Sequence, residues 1–484
     1  MIVVMAATVP FEAFADENVP YDTYVYDHWE YIVFTPAPYV PGSTISGVSL
    51  GIGAFNDPQG LFVAHDEAVY IADTGNNRIV ILEPDLLTIR DVITTFNNNG
   101  RTDSFSRPRG VAVSTDGLIY VADTENRRVL AIDGNEVVQT IANPRSEMFA
   151  DDFDFVPLKV TVDFAGRVFV IARNMFQGIM TFNADGDFIG FYGTINVGIT
   201  LWERFWRAIS TQEQRARQQL FIPTEFTGLD VDPAGFVYAS NIDIAGEQAV
   251  RRLNPSGEDV LRQGINEHVG GDIITWTMSP SPFSGPSNIV DVTYRGNGIY
   301  SLLDSRRGRI FTYDYEGNLL YIFGGMGQQA GTFRQPTAIA TQEGKVLALD
   351  AVRNELITFE HTRYGELINL AVSLRYDGDE AKAVDTWREV LKFNENFELA
   401  NAGIGKAYLT AGENRTAMYY LQLGMDRENY SIAFRRWRND ILKENIGWIL
   451  TVIVGGILAY IIIRAVVRHR RKDLEESEGG AFDA

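Results

Sequence analysis

A ten-residue pattern that occurs twice constrains the fold of this chain more than any other feature. Residues 70–79 read YIADTGNNRI, and fifty residues later residues 120–129 read YVADTENRRV. Each copy consists of an apolar strand, an Asp-Thr step with a polar tight turn, an arginine and a second apolar strand. Asp and Asn favour such turns because their side chains bond nearby backbone N–H groups and tolerate left-handed geometry. The pattern predicts a β-hairpin that the chain uses repeatedly.

Related hairpins can be followed six times along the chain. The tyrosine of the pattern, or the residue that replaces it, falls at positions 70, 120, 169, 238, 300 and 347. Each of these strands follows a tight turn that includes Asp, Asn or Gly, which is typical of β-hairpins. Repeats of about 50 residues that are made of β-strands are typical of the blades of a β-propeller.

The repeats resemble NHL repeats, whose family forms six-bladed β-propellers. The resemblance covers residues 22–361 and is clearest in the first, second and fifth units. It implies a mainly β fold with a six-bladed NHL-type β-propeller. The sixth unit stops after the strand at 355–359, so an upstream strand at 24–26 or 31–34 is predicted to supply its outer strand. Such a closure would remove an exposed sheet edge.

The repeated acids and arginines have a regular spacing that indicates a structural role. Each acid directly follows an apolar strand, where its side chain can accept hydrogen bonds from the turn. We predict that three pairs lock the turns of their blades: Asp73 with Arg78, Asp123 with Arg128, and Asp304 with Arg309.

The interval between positions 169 and 238 is longer than the others, and residues 199–219 account for most of the surplus. Four apolar side chains there fall on one face of a predicted helix: Trp202, Phe205, Trp206 and Ile209. This amphipathic insert is predicted either to pack on the rim of the propeller or to dock a partner protein.

Residues 363–427 have helical periodicity and resemble tetratricopeptide repeats. The segments 376–379 and 410–413 are similar and lie 34 residues apart, which is the period of such helix pairs. Gly378 and Gly412 are predicted to end the first helix of each pair. The resemblance implies a stalk that is either structural or binds a peptide or protein.

An uncharged run of 18 residues, 446–463, follows the stalk. A helix of this length nearly crosses a hydrocarbon core of ~30 Å. We predict a juxtamembrane helix at 428–445, a transmembrane helix at 446–467 and a cytoplasmic tail at 468–484. The orientation follows from the basic residues that begin at Arg468, because positive residues flank the cytoplasmic end of a span.

The opposite end of the chain predicts export. Residues 1–15 are almost wholly apolar, end in Ala13-Phe14-Ala15 and precede two acids, which is the pattern of a signal peptide. The usual basic segment is missing, which indicates a truncated signal peptide with a true start further upstream. Together the two ends predict a single-pass protein of the bacterial cell membrane with extracellular propeller and stalk.

Composition excludes several classes of function. The net charge of −21 disfavours nucleic acid as a partner, because nucleic-acid binders present a basic face. The absence of cysteine excludes disulfides, thiolate zinc sites and cysteine nucleophiles. The five histidines are scattered, and His65 and His268 are the two that fall inside predicted blades.

No catalytic or metal-binding residue is assigned from the sequence, and no cofactor is expected. The alternative is Ca²⁺, because six-bladed propellers include calcium-dependent lactonases as well as zinc-dependent lyases. Four residues could offer oxygen ligands to such an ion, although each also fits a strand end or turn: Asp163, Asp232, Asn288 and Asp291.

These patterns favour a membrane-anchored binding or scaffold protein whose partner is a membrane protein complex or a peptide or protein ligand. A general resemblance to bacterial surface NHL proteins of this layout implies an accessory subunit, for example of an ABC importer for a solute or carbohydrate. The alternative is an extracellular metal-dependent lactonase or lyase.

Overall fold

The computed structural model describes residues 19–144, 146, 149, 153–193, 225–242, 249–262, 269–272 and 284–479, with side chains up to residue 471. The predicted signal peptide at 1–15, the predicted insert at 199–219 with its four apolar residues, and His268 lie outside these ranges.

Strands make up most of the described chain up to residue 361. In chain order they are β1 (Tyr24–Tyr26), β2 (Ile32–Phe34), β3 (Tyr39–Ser46), β4 (Gly60–Val63), β5 (Val69–Asp73), β6 (Arg78–Leu82), β7 (Ile89–Ile93), β8 (Thr95–Asn98), β9 (Arg101–Ser104), β10 (Pro108–Val113), β11 (Ile119–Asp123), β12 (Arg128–Asp133), β13 (Glu136–Ile141), β14 (Pro157–Val162), β15 (Val168–Ala172), β16 (Ile179–Phe182), β17 (Phe188–Tyr192), β18 (Phe226–Val231), β19 (Val237–Asn241), β20 (Val250–Leu253), β21 (Ile289–Gly296), β22 (Ile299–Asp304), β23 (Arg309–Tyr313), β24 (Leu319–Phe323), β25 (Pro336–Gln342), β26 (Lys345–Asp350) and β27 (Glu355–His361).

These strands form six sheets arranged as the blades of a propeller, and their strand pairs are antiparallel except for the parallel pair β13–β8. The innermost strands of successive blades are β4, β10, β14, β18, β21 and β25. Each contacts the next around the axis, and β25 contacts β4, so the ring is closed. The predicted six-bladed β-propeller is therefore confirmed.

The second strand of each blade is buried on both faces because it lies between neighbouring blades. The strands VYIAD (β5) and IYVAD (β11) have no exposed residue. Strands covered on both faces read as continuous apolar runs. One of the resulting cores joins the sixth and first blades through Leu347, Leu349, Ile71 and Val80.

The ring closes through a different strand from the one predicted. The outer strand of the sixth blade is β3, which pairs with β27 from Tyr39↔His361 to Ser46↔Glu355. Strands β1 and β2 instead extend the fifth blade beyond β24. The reason is that the hydroxyl groups of Tyr24 and Tyr26 both donate to the buried carboxylate of Asp272, which holds β1 beside the fifth blade.

Two compact units are distinguished, residues 1–399 and 400–484. In the first, α1 (Arg363–Tyr376) and α2 (Glu380–Phe393) follow the propeller. Helix α1 contacts β22 and β27, and Arg375 of α1 forms an ion pair of 3.0 Å with Glu316.

The second unit contains most of α3 (Glu398–Thr410), then α4 (Asn414–Leu423) and α5 (Arg427–Gly479). Leu409, Ala417, Leu421 and Ala433 form its small core. Helix α5 is long and apolar enough to cross a membrane, with a mean hydropathy of 2.5 over its most apolar 18 residues. The tetratricopeptide resemblance of the helices stays a prediction.

Candidate functional site

The acids of the repeated pattern are buried at one end of the propeller. Asp73 accepts hydrogen bonds from the Asn56 N–H at 2.7 Å, Arg78 Nε at 2.7 Å and Asn76 Nδ2 at 2.8 Å. The turn is completed by Asn77, whose φ of 55° is left-handed and suits asparagine. This arrangement uses the carboxylate to hold a turn and leaves it inaccessible to a substrate.

The second blade repeats this geometry. Asp123 accepts from the Ser106 N–H at 2.7 Å, Arg128 Nε at 2.8 Å and Asn126 Nδ2 at 2.9 Å. The threonine that follows each acid reaches the neighbouring blade. Thr74 Oγ1 donates to the Pro108 carbonyl at 2.7 Å, and Thr124 Oγ1 donates to the Pro157 carbonyl at 2.8 Å. The Asp-Thr step therefore holds its own turn and ties one blade to the next.

The fifth blade departs from the predicted pairing. Asp304 accepts from the backbone N–H groups of Asn288 and Arg306, both at 2.8 Å. Arg309 does not pair with it and instead contacts Asp272 at 2.6 Å. The physical reason is that Asp272, contributed by a separate segment, is a second buried carboxylate beside Arg309. We call the end of the propeller where these acids lie the lock end.

The axis of the propeller contains a cavity of about 350 Å³ lined by all six inner strands. One position on each inner strand pairs with the residue that comes directly before Asp73, or before its equivalent in the other blades. The six residues at this position are Gly60, Gly110, Lys159, Gly228, Asp291 and Ala338. Four of them are Gly or Ala, and the other two carry opposite charges. A Cβ atom at Gly60 or Gly110 would meet the backbone of the following blade, so these small residues allow neighbouring inner strands to lie close together.

Lys159 and Asp291 form an ion pair in this cavity. Lys159 Nζ lies 3.2 Å from Asp291 Oδ2, although the two residues belong to the third and fifth blades. The same oxygen accepts the Ile339 N–H from the sixth blade at 3.1 Å. A Cβ atom at Gly228 would collide with the Asp291 carboxylate, so the intervening fourth blade needs glycine there. Burial raises the pKa of Asp291, and the Lys159 ammonium opposes that shift.

A second carboxylate, Asp230, lies one pleat further along the fourth blade. It accepts from the Tyr294 N–H at 2.7 Å and from Thr293 Oγ1 at 3.2 Å. Burial raises the pKa of Asp230 to about 6, and the charge of Asp291 adds to the rise. The lining of the cavity thus includes one ammonium, two carboxylates and threonine hydroxyls, which suits a small polar molecule. His65 and Glu67 line its other end, which we call the turn end.

The four predicted oxygen ligands do not converge. Asp163 holds the β14–β15 turn through the N–H groups of Ala165 and Arg167, and Asp232 holds the β18–β19 turn in the same way. Asn288 lies beside Asp304. Asp291 alone of the four reaches the cavity.

The residues that line the axial cavity do not fit a calcium ion. Lys159 already occupies the position beside Asp291 that a cation would need, and the Asp230 carboxylate is engaged by three donors. In the described ranges, no three or more His, Asp or Glu side chains form a group that could hold a metal.

Sequence reasoning missed Lys159 and Asp230. Both interrupt inner strands that are otherwise apolar or small, PLKVTV and FTGLDV. A charged residue inside such a strand was the signal available, because its side chain must find a partner when buried.

We predict that Asp123→Ala lowers the free energy of unfolding by about 1–3 kcal/mol, because it leaves Arg128 Nε and two further donors without their acceptor. Thermal unfolding measures the loss. Asp133→Ala removes an exposed acid from the same blade and is the control. Equal melting temperatures for the two variants would contradict the structural role.

The raised pKa of Asp230 predicts a pH dependence of stability. The folded state binds this proton more tightly than the unfolded state, whose Asp pKa is near ~3.9, so the stabilisation is present below about pH 4 and is lost as the pH rises through about 6. The melting temperature of the wild type relative to Asp230→Asn should therefore rise as the pH falls from about 7 to about 4. Parallel curves would show that Asp230 has an ordinary pKa.

Comparison with known proteins agrees with the repeat. The NHL repeat family model matches residues 105–132, which span the lock of the second blade. The comparison with curated protein sequences found no match.

Three solved structures illustrate what the chain is similar to. Virginiamycin B lyase from Staphylococcus aureus is 11% identical, with a TM-score of 0.40, 66% of this chain and 99% of that chain covered. A gluconolactonase from Xanthomonas campestris is 11% identical, with a TM-score of 0.38 and coverage of 67% and 98%. Hydrazine synthase from Kuenenia stuttgartiensis is 10% identical, with a TM-score of 0.38 and coverage of 67% and 99%.

The activities in these names belong to those proteins, and the fold assignment here rests on the closed ring of six blades. The chain thus folds as a six-bladed β-propeller in which residues 105–132 match the NHL repeat, followed by C-terminal helices of which one is long and apolar.

Proposed function

We propose that this chain is a single-pass membrane protein whose extracellular propeller is a binding subunit of a membrane complex. The observation that carries the proposal is the exposure of α5, because none of its most apolar 18 residues is buried. Apolar side chains such as Ile453, Leu458 and Ile462 are more than half exposed. A continuous apolar surface of this length needs a non-aqueous environment, and a bilayer supplies it.

The charges that flank the span support the orientation. Five Lys or Arg residues lie within 464–472, directly at the end of the span, whereas the five before the span are spread over 427–445. The denser cluster marks the cytoplasmic side. The propeller then lies outside, where a predicted signal peptide at 1–15 would direct it.

The polar groups of the axial cavity favour binding of a ligand over catalysis. Lys159 and Asp291 satisfy one another, and Asp230 is held by backbone and hydroxyl donors. Such groups orient a polar guest through hydrogen bonds in a cavity of about 350 Å³. An accessory subunit of a solute importer is the specific role that we propose for this combination of a binding cavity and a membrane span.

We expect single-cysteine labelling to show the predicted topology, because the chain has no cysteine of its own. In intact cells, a membrane-impermeant maleimide should react with Thr44→Cys, an exposed position on β3. Ser477→Cys should react only after lysis. Reaction of both variants in intact cells, or of neither, would contradict a single span with an external propeller.

Purification of the full-length chain in a mild detergent should recover membrane proteins in a stoichiometric ratio. The control is Val454→Arg/Leu458→Arg, which places two charges in the span at about 2.5–3.5 kcal/mol each and should abolish the co-purification. A wild-type protein that elutes alone with about one tightly bound Ca²⁺ or Zn²⁺ per chain would favour the enzyme alternative and overturn the proposal.

A further inference from the structure

Arg109 is a half-buried arginine to which the described residues offer no carboxylate within ion-pair distance. Its Nε atom is buried and has no hydrogen-bond partner in that part of the chain. Guanidinium groups with low exposure are normally paired, because a buried charge is costly without an opposite charge. An unpaired arginine is therefore notable in a chain with a net charge of −21.

The neighbouring charges increase the local excess of positive charge. Arg107 lies 2.6 Å from Asp57, and Arg173 lies 3.9 Å from Glu125, so each neighbour has its own carboxylate. Burial lowers the pKa of Arg109, and the like charges of Arg173 and Arg107 add to the effect. Three guanidinium groups thus share two carboxylates, and one positive charge lacks a partner.

Arg109 lies at the lock end of the inner strand β10. It is the extra residue of a β-bulge at the start of β10, between Pro108 and Gly110. The corresponding positions in the other blades hold uncharged residues: Gln59, Leu158, Thr227, Val290 and Thr337. The next residue, Gly110, packs directly against the backbone of Lys159, whose ammonium lies in the cavity.

The chemistry of the group indicates what it would bind. A guanidinium presents Nε and a terminal nitrogen as two parallel donors that match the two oxygens of a carboxylate or phosphate. In Arg109 the Nε donor is unused and the group is partly exposed. We propose that Arg109, flanked by Arg107 and Arg173, binds the oxyanion group of a small carboxylate or phosphate solute at the lock end of the propeller. This site does not depend on the proposed membrane role.

The test uses purified full-length protein in detergent at low ionic strength, titrated separately with sodium phosphate and sodium acetate. The melting temperature should rise with at least one anion and saturate, as expected for a ligand that binds the folded state. Arg109→Gln should weaken the apparent affinity about tenfold or more, since it removes a charged bidentate donor. A response to phosphate alone identifies a phosphate site, and a response to acetate identifies a carboxylate site.

Arg90→Gln is the matched control. It also removes one positive charge, but from the turn end, where Arg90 pairs with Asp66 and Glu83. The affinity of this variant for the anion should stay within about twofold of the wild type, because dissolved ions screen the effect of a distant surface charge. Arg109→Lys, which keeps the charge and loses the fork, should bind with intermediate affinity and serves if Arg109→Gln does not fold. Absence of saturable binding of both anions, or equal weakening in Arg90→Gln, would overturn the proposal.

Discussion

The propeller depends on backbone pairing between the two ends of its sequence. Strand β3 completes the sixth blade beside β27, so residues such as Ser43 and Thr358, 315 positions apart, are hydrogen-bonded neighbours. The pairing removes the free edge that an incomplete last blade would expose. It also carries Ile45 into the core between the sixth and first blades. The closing strand therefore joins the last blade to the first through both its backbone and its side chains.

Within the closed ring, the two adjacent residues of the Asp-Thr step have different structural roles. The buried acid satisfies the donors of its own turn, and the threonine hydroxyl donates to a carbonyl of the following blade. Because a buried carboxylate is tolerated only when donors surround it, the turn residues Asn and Arg are required by the acid. The repeat thus encodes both the shape of a blade and its contact with the next one. This explains why the most regular acids of the chain are structural.

The groups available for binding lie where the repeat is broken. At positions where four blades have Gly or Ala, the third and fifth have Lys159 and Asp291, and these meet across the fourth blade because Gly228 leaves space. At the lock end, Arg109 stands where the other blades have uncharged residues. In a symmetric scaffold, such departures have no structural counterpart in the other blades. They are the places where a ligand-specific chemistry can be added without changing the fold.

The sequence by itself determined the number of blades, their period, the turn chemistry of Asp73 and Asp123, and the long apolar helix. These follow from local patterns, since alternating strands, turn residues and apolar runs depend on neighbours in sequence. The tertiary structure decided which upstream strand closes the ring, that Arg309 pairs with Asp272, and that Lys159 meets Asp291. Each of these is a choice among partners far apart in the chain. Such choices depend on which edges, charges and spaces the assembled blades bring together, and no local pattern encodes that.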